Sequence, residues 1–227
     1  MKTSIRILFF LLLTLPAFGA ITDKYVSSAG SGDGLGGSEA NAMSYANFVD
    51  YMSTGGSFTA AAGDRFNIIA GSGAIARTTT SDTWLNGGAT NAPVIVRGYR
   101  TTITDGYQGR LVSGTGNLNT NNMAQISFTT GLQTITGSYI IIESIYFSSA
   151  RNGTAINCTT GGDLLFKSCR VENNNTGTAT CINTAQARST VLDCDMFLTA
   201  ASGGTAACIV STSGVRIMGC RITGKTA

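Results

Sequence analysis

The sequence predicts an all-β solenoid, a single-stranded parallel β-helix with a short N-terminal capping helix. Two observations carry this. First, residues 139–147, 164–171, 189–196 and 215–222 align without gaps, and Ile145, Cys169, Cys194 and Cys220 mark their common column at spacings of 24, 25 and 26 residues. Repeats of this length signal stacked units that have no core alone. Second, each unit alternates apolar and polar residues with period two, and the phase breaks once. Ile140, Leu164, Ser189 and Val215 form one column, and Ile142, Phe166, Val191 and Ile217 the next. Phe147, Val171, Met196 and Ile222 follow the marker column by two. A strand, a tight bend and a second strand turn all four columns inward. The bend falls at Ser144, Ser168, Asp193 and Gly219, all small or turn-favouring. A third apolar run follows in residues 155–158, 180–183 and 207–210, after the variable loops 148–153, 172–178 and 197–204. Three short strands per turn make a β-helix. An antiparallel sandwich also has many short strands, but it gives no reason for like residues to recur at one spacing.

The elements follow in chain order. Residues 1–20 read as a secretory signal peptide. Lys2 and Arg6 precede a nine-residue apolar run from Ile7 to Leu15, which Pro16 breaks, and Ala17 and Gly19 suit cleavage after Gly19. That run is too short to span a bilayer, and no later segment reads as a stable membrane insertion. Residues 21–62 read as an N-terminal cap: a strand at 24–28, a glycine-rich loop at 30–38 and a helix. Tyr45, Phe48, Val49 and Met52 lie at helical spacing, with Ser44 as N-cap and Gly55-Gly56 as stop. The glycine-rich loop lacks the Lys-Ser/Thr pair of a phosphate cradle and reads as a surface loop, so no cofactor site is evident. Residues 63–227 read as roughly six coils. Strands are expected at 63–69 and 92–99, the latter with Val94 and Val96 inside or Ile95 alone. Residues 100–138 read as irregular, with an excursion near 117–122.

Composition bounds the chemistry. The 227 residues are 43% hydrophobic and 12% charged, which excludes an intrinsically disordered chain. There is no histidine, which removes His-based triads and the usual zinc sites. Removing Lys2 and Arg6 from the 15 basic residues leaves 13 against 12 acidic ones, a net charge of +1. No basic run remains to follow a phosphate backbone, so nucleic acid is not an expected partner.

Candidate residues are few. Outward positions of the second strand carry Arg170, Glu172, Asp195 and Arg221, with Asp193 at the bend; Glu172, Asp193 and Asp195 are the weak candidates for a metal, flanked by arginines that oppose a cation. Six cysteines in an exported chain permit disulfides. Cys169, Cys194 and Cys220 fall in an inward column and read as buried thiols. If Cys158, Ile182 and Ile209 share a column, Cys181 and Cys208 point outward on adjacent coils and form the disulfide candidate; the opposite register buries both as free thiols. Trp84, Tyr99, Tyr107 and Tyr139 are candidates to stack on sugar rings. No residue is assigned as catalytic.

The coils with Ile-x-x-Cys-x-Val/Ile resemble the right-handed parallel β-helix repeats of the pectate-lyase-like superfamily over residues 140–222. Residues 25–99 are similar to N-terminal caps of secreted members. The family's usual turn asparagine is replaced by Ser, Asp or Gly, so that asparagine ladder is not expected. The resemblance implies a secreted protein that acts on or binds polysaccharide. If it is an enzyme, it is a lyase or glycoside hydrolase, with Ca2+ implied by family analogy only. The segment itself reads as mainly scaffold without a recognisable catalytic site. The alternative is a non-catalytic surface adhesin or a structural fibre of the tail-spike kind. The fourth aligned coil ends at Ala227, so further coils or another subunit are expected to cover the open end.

Overall fold

The computed structural model describes residues 21–53, 60–69, 71, 74–77, 81–99, 123–185, 188–198 and 206–224. The expected export segment 1–20, the excursion at 117–122 and Tyr107 lie outside them. All strands pair in parallel, in three sheets. The first holds Val215–Met218, Ser189–Leu192, Leu164–Lys167, Ile140–Glu143, Val94–Tyr99, Asp64–Ile69, Thr22–Ser27 and Met43–Ser44 in that order. The second holds Arg221–Gly224, Asp195–Leu198, Arg170–Asn173, Ile145–Ser149, Ala124–Phe128 and Ile75–Arg77. The third holds Ala206–Ser211, Ala179–Thr184, Gly153–Cys158, Gln133–Ile135 and Asp82–Trp84. The chain visits first, second and third sheet in turn and then climbs one rung.

The repeat columns are the core. Ile142 pairs with Phe166, Phe166 with Val191, and Val191 with Ile217. Phe147, Val171, Met196 and Ile222 pair likewise in the second sheet. All are buried except on the last described rung, where Ile217 is 43% and Ile222 51% exposed. The phase break is one residue in the left-handed conformation: Ser144, Ser168, Asp193 and Gly219 have φ of 55°, 51°, 54° and 62°. This reverses the inward face between the first and second sheets without adding a loop. Non-glycine residues there cost roughly 1–2 kcal/mol each, offset by the burial the turn permits on either side.

A second left-handed column was not expected. Tyr139, Asp163 and Arg188 have φ of 54°, 56° and 59° and stand where each rung enters the first sheet. Tyr139 and Arg188 give no such signal in their side chains, whereas aspartate tolerates this region. The backbone holds the first of them: Tyr139 N–H donates to Gly162 O at 3.0 Å, and Val94 N–H donates to Tyr139 O at 3.0 Å.

The helix spans Tyr45–Met52, and the Ser44 hydroxyl caps it by accepting from Asn47 N–H at 3.1 Å. Its buried Phe48 packs edge-on against Phe66 and Trp84, with centroids 5.0 and 5.4 Å apart. Asn86 ties down the other end by donating to the carbonyls of Tyr51 and Ser53. Val94 and Val96 are buried and Ile95 is half-buried, so the first of the two expected registers is the one present. The irregular reading of 100–138 needs correction: Ala124–Phe128 and Gln133–Ile135 are strands. Ala124, Ile126 and Phe128 point inward there, a period-two pattern weakened by the small alanine. Among the described residues, no helix is long and apolar enough to cross a membrane.

Candidate functional site

The outer face of the first sheet carries a groove. Alternation turns Ile140 and Ile142 inward and leaves Ile141 on the outside. In-register pairing aligns Ile95, Ile141, Leu165, Thr190 and Arg216 along one outward column. The neighbouring column places Glu143 beside Lys167, joined at 3.1 Å. The left-handed corner residues Tyr139, Asp163 and Arg188 border the apolar column. Arg188 Nη2 meets Asp163 Oδ2 at 2.6 Å, and this hydrogen bond, with Asp163's charge, raises the Arg188 pKa above its ordinary value.

Next to Tyr139 on this corner, the loop of Thr90 and Pro93 also lines the groove, Pro93 preceding Val94 as Tyr139 precedes Val94's partner Ile140. Its close approach depends on glycine. A Cβ at Gly87 would lie 2.0 Å from Ser138 O, and one at Gly88 would lie 2.5 Å from Pro93 Cα. Gly88 N–H donates to Ser138 O at 2.9 Å and fixes the approach. The depression between Pro93, Tyr139, Ile141, Leu165 and Leu192 has a volume of about 500 Å³. It shares Asp163, Arg188 and Thr190 with a second depression of about 550 Å³, which reaches Arg216. Both volumes fall in the ~300–1,000 Å³ range of small-molecule sites. The first half offers apolar contact and the second offers guanidinium donors.

Of the aromatic candidates, Tyr139 lines this groove. Trp84 and Tyr99 do not face solvent; both are fully buried. Trp84 belongs to the aromatic cluster under the helix, and the Tyr99 hydroxyl donates to Glu39 at 3.0 Å.

The carboxylate candidates lie elsewhere, on the second sheet. Arg170, Asp195 and Arg221 are in-register neighbours, and Glu172 pairs with Phe197 in the adjacent column. Glu172 accepts from the Tyr146 hydroxyl at 2.6 Å and from Arg170 Nη2 at 3.0 Å. Asp195 is 4% exposed between the two arginine positions, and Asp193 sits in its left-handed turn. The three carboxylates therefore do not converge. Among the described residues no group of three or more Cys, Asp or Glu is placed to hold a metal ion. Arg170 stacks instead between Tyr146 and Phe197, 5.1 and 4.3 Å from their centroids.

The cysteine register also needs correction. Ile156, not Cys158, shares a column with Ile182 and Ile209. Cys181 and Cys208 are consequently neighbours in the core, 0% and 9% exposed, rather than outward. Both residues of each in-in pair, Ala155-Ile156 and Cys181-Ile182, are buried, so the third strand kinks where simple alternation was assumed. Outside the kink, Asn183 Nδ2 donates to Asn157 Oδ1 at 3.0 Å, a short asparagine ladder on a sheet face rather than at the turn.

No protein-family model and no curated protein matches the chain. Among solved structures, it is similar to the crystal structure of pectate lyase Pel9A, with a TM-score of 0.58 and 16% identity. The match covers 90% of this chain and 48% of that one, so the chain spans about half the length of its structural relative. With three parallel sheets wound in sequence and this likeness, the chain has the pectate-lyase-like right-handed parallel β-helix fold.

Proposed function

We propose that this chain is an exported polysaccharide-binding β-helix whose contact surface is the groove on the first sheet. The observation that carries the reading is the continuity of the groove: Tyr139, Ile141 and Leu165 run into Thr190, Arg188 and Arg216. Sugar rings present C–H faces and hydroxyls together. An apolar floor next to hydroxyl and guanidinium donors complements both. The fold adds support, since the structural relative is a pectate lyase. The reading is of binding: Asp163 and Arg188, an acid and a base of the described groove, are engaged with each other rather than set apart across it.

The test is electrophoresis of the full chain through gels containing neutral or acidic polysaccharides. Retardation by at least one glycan, abolished by Leu165→Asp on the groove floor, is expected. A chain that migrates identically in every gel excludes the reading. Retardation that survives Leu165→Asp moves the contact surface off this groove.

A further inference from the structure

We propose that Cys181 and Cys208 form a disulfide-forming pair, the one place among the six thiols where oxidation staples two rungs together. Their strands, Ala179–Thr184 and Ala206–Ser211, are parallel neighbours. The pairs Thr180–Ala207 and Ile182–Ile209 flank them, which sets Cys181 directly beside Cys208. Neighbouring strands lie ~4.8 Å apart, inside the ~4.4–6.8 Å span between Cα atoms that a disulfide bridges. Both side chains turn into the core, toward the same strand of the second sheet. Cys181 Sγ donates to Phe197 O at 3.2 Å, and Cys208 Sγ lies 3.9 Å from Met196 O, the preceding carbonyl. Both are free thiols in this structure.

The other four thiols are held differently. Cys169 donates to Ile142 O at 3.3 Å and Cys194 to Leu192 O at 3.2 Å. Sulfurs also accept along the column: Cys169 N–H donates to Cys194 Sγ, and Cys194 N–H to Cys220 Sγ. Cys158 has Thr184 as its in-register neighbour and no sulfur beside it. Geometry thus sets Cys181 and Cys208 apart as an isolated pair, beside a column of three thiols that neighbour one another in series.

The reaction balances with a small disulfide oxidant. The Cys208 thiolate attacks one sulfur of RSSR, forming a mixed disulfide and releasing RS⁻, which takes up the Cys208 proton. Cys181 then attacks the Cys208 sulfur, and its own proton leaves with the second RSH. The two cysteines lose two electrons and RSSR gains them. In the reduced pair the Cys208 hydrogen bond, then burial, holds the Cys181 thiol above its ordinary pKa, which leaves Cys208 as the first nucleophile.

The experiment incubates the full reduced chain with glutathione disulfide, denatures it, alkylates free thiols and maps peptides without reduction. The expected result is four alkylated cysteines and one linked peptide joining Cys181 to Cys208. The oxidised form should also unfold at a higher denaturant concentration than the reduced form, and Cys208→Ser should lose that difference. Six alkylated cysteines overturn the proposal, as does a linkage within the Cys169–Cys194–Cys220 column. An unfolding difference that persists in Cys208→Ser overturns it as well.

Discussion

The Tyr146 hydroxyl donates to Glu172 across one rung at 2.6 Å, and this bond makes the second sheet sensitive to alkali. Burial, then the hydrogen bond and charge of Glu172, push the Tyr146 pKa up to about 12. The folded protein therefore holds this proton more tightly than the unfolded chain, whose value is about 10. The resulting stabilisation is complete below pH ~10 and is lost as pH rises through ~12. Tyr146→Phe should flatten this part of the stability curve, at a cost of about 1 kcal/mol near neutrality. Urea midpoints measured from pH 8 upward check it; parallel curves for the two proteins would exclude Tyr146 titration as a source of the alkaline loss.

The turn column gives a second prediction. Ser168 has φ 51° and must keep it for Phe166 and Cys169 both to face the core. Ser168→Val places a β-branched side chain in the left-handed region and should destabilise by about 1–2 kcal/mol. Ser168→Gly should lie within about 1 kcal/mol of the parent, because lost strain offsets gained chain freedom. Chemical unfolding of both variants decides it, and equal effects would mean that conformation is not what limits this position.

One column predicts two different costs. Ile142 is fully buried, whereas Ile217 is 43% exposed in the same register. Ile142→Ala should cost about 2–5 kcal/mol through lost burial and a cavity, while Ile217→Ala in this chain should cost clearly less. Unfolding midpoints of the two variants compare them directly. Similar losses would show that something covers Ile217 in solution.

How much of this was legible depended on whether side-chain chemistry tracked backbone position. Ile142, Phe166 and Val191 announce a column because stacking forces like residues to one depth. The turn at Ser144, Ser168, Asp193 and Gly219 was readable because small or polar residues tolerate left-handed φ. Tyr139 and Arg188 take the same conformation with side chains that do not advertise it; at Tyr139 inter-rung backbone hydrogen bonds hold it. The groove they border was hidden for that reason: alternation puts Ile141 and Leu165 outside, but the residue types do not show that the corners and the loop at Pro93 enclose them. The Cys181–Cys208 orientation failed because strict alternation was carried through a kinked strand. For Glu172 and Asp195 the outward face was readable but not the partners, which come from Tyr146 one rung away and from the arginine positions alongside.

The last prediction concerns the groove wall. The loop carrying Thr90 and Pro93 reaches Tyr139 only because Gly87 lets backbone touch backbone: an added Cβ would lie 2.0 Å from Ser138 O and 2.6 Å from Ser138 N. No flexible side chain is there to yield, so Gly87→Ala must push the loop outward and break the Gly88 N–H bond to Ser138 O. Loss of that partly buried bond alone should cost about 1 kcal/mol, with strain adding to it. A comparison variant separates local from general effects. Gly37 has nothing within 4 Å of its Cβ position, so Gly37→Ala should leave stability within about 0.5 kcal/mol of the parent. If the groove binds polysaccharide, Gly87→Ala should weaken retention in glycan gels while Gly37→Ala leaves it unchanged. A Gly87→Ala protein that keeps full retention and full stability would show that the loop is not a wall of the binding surface.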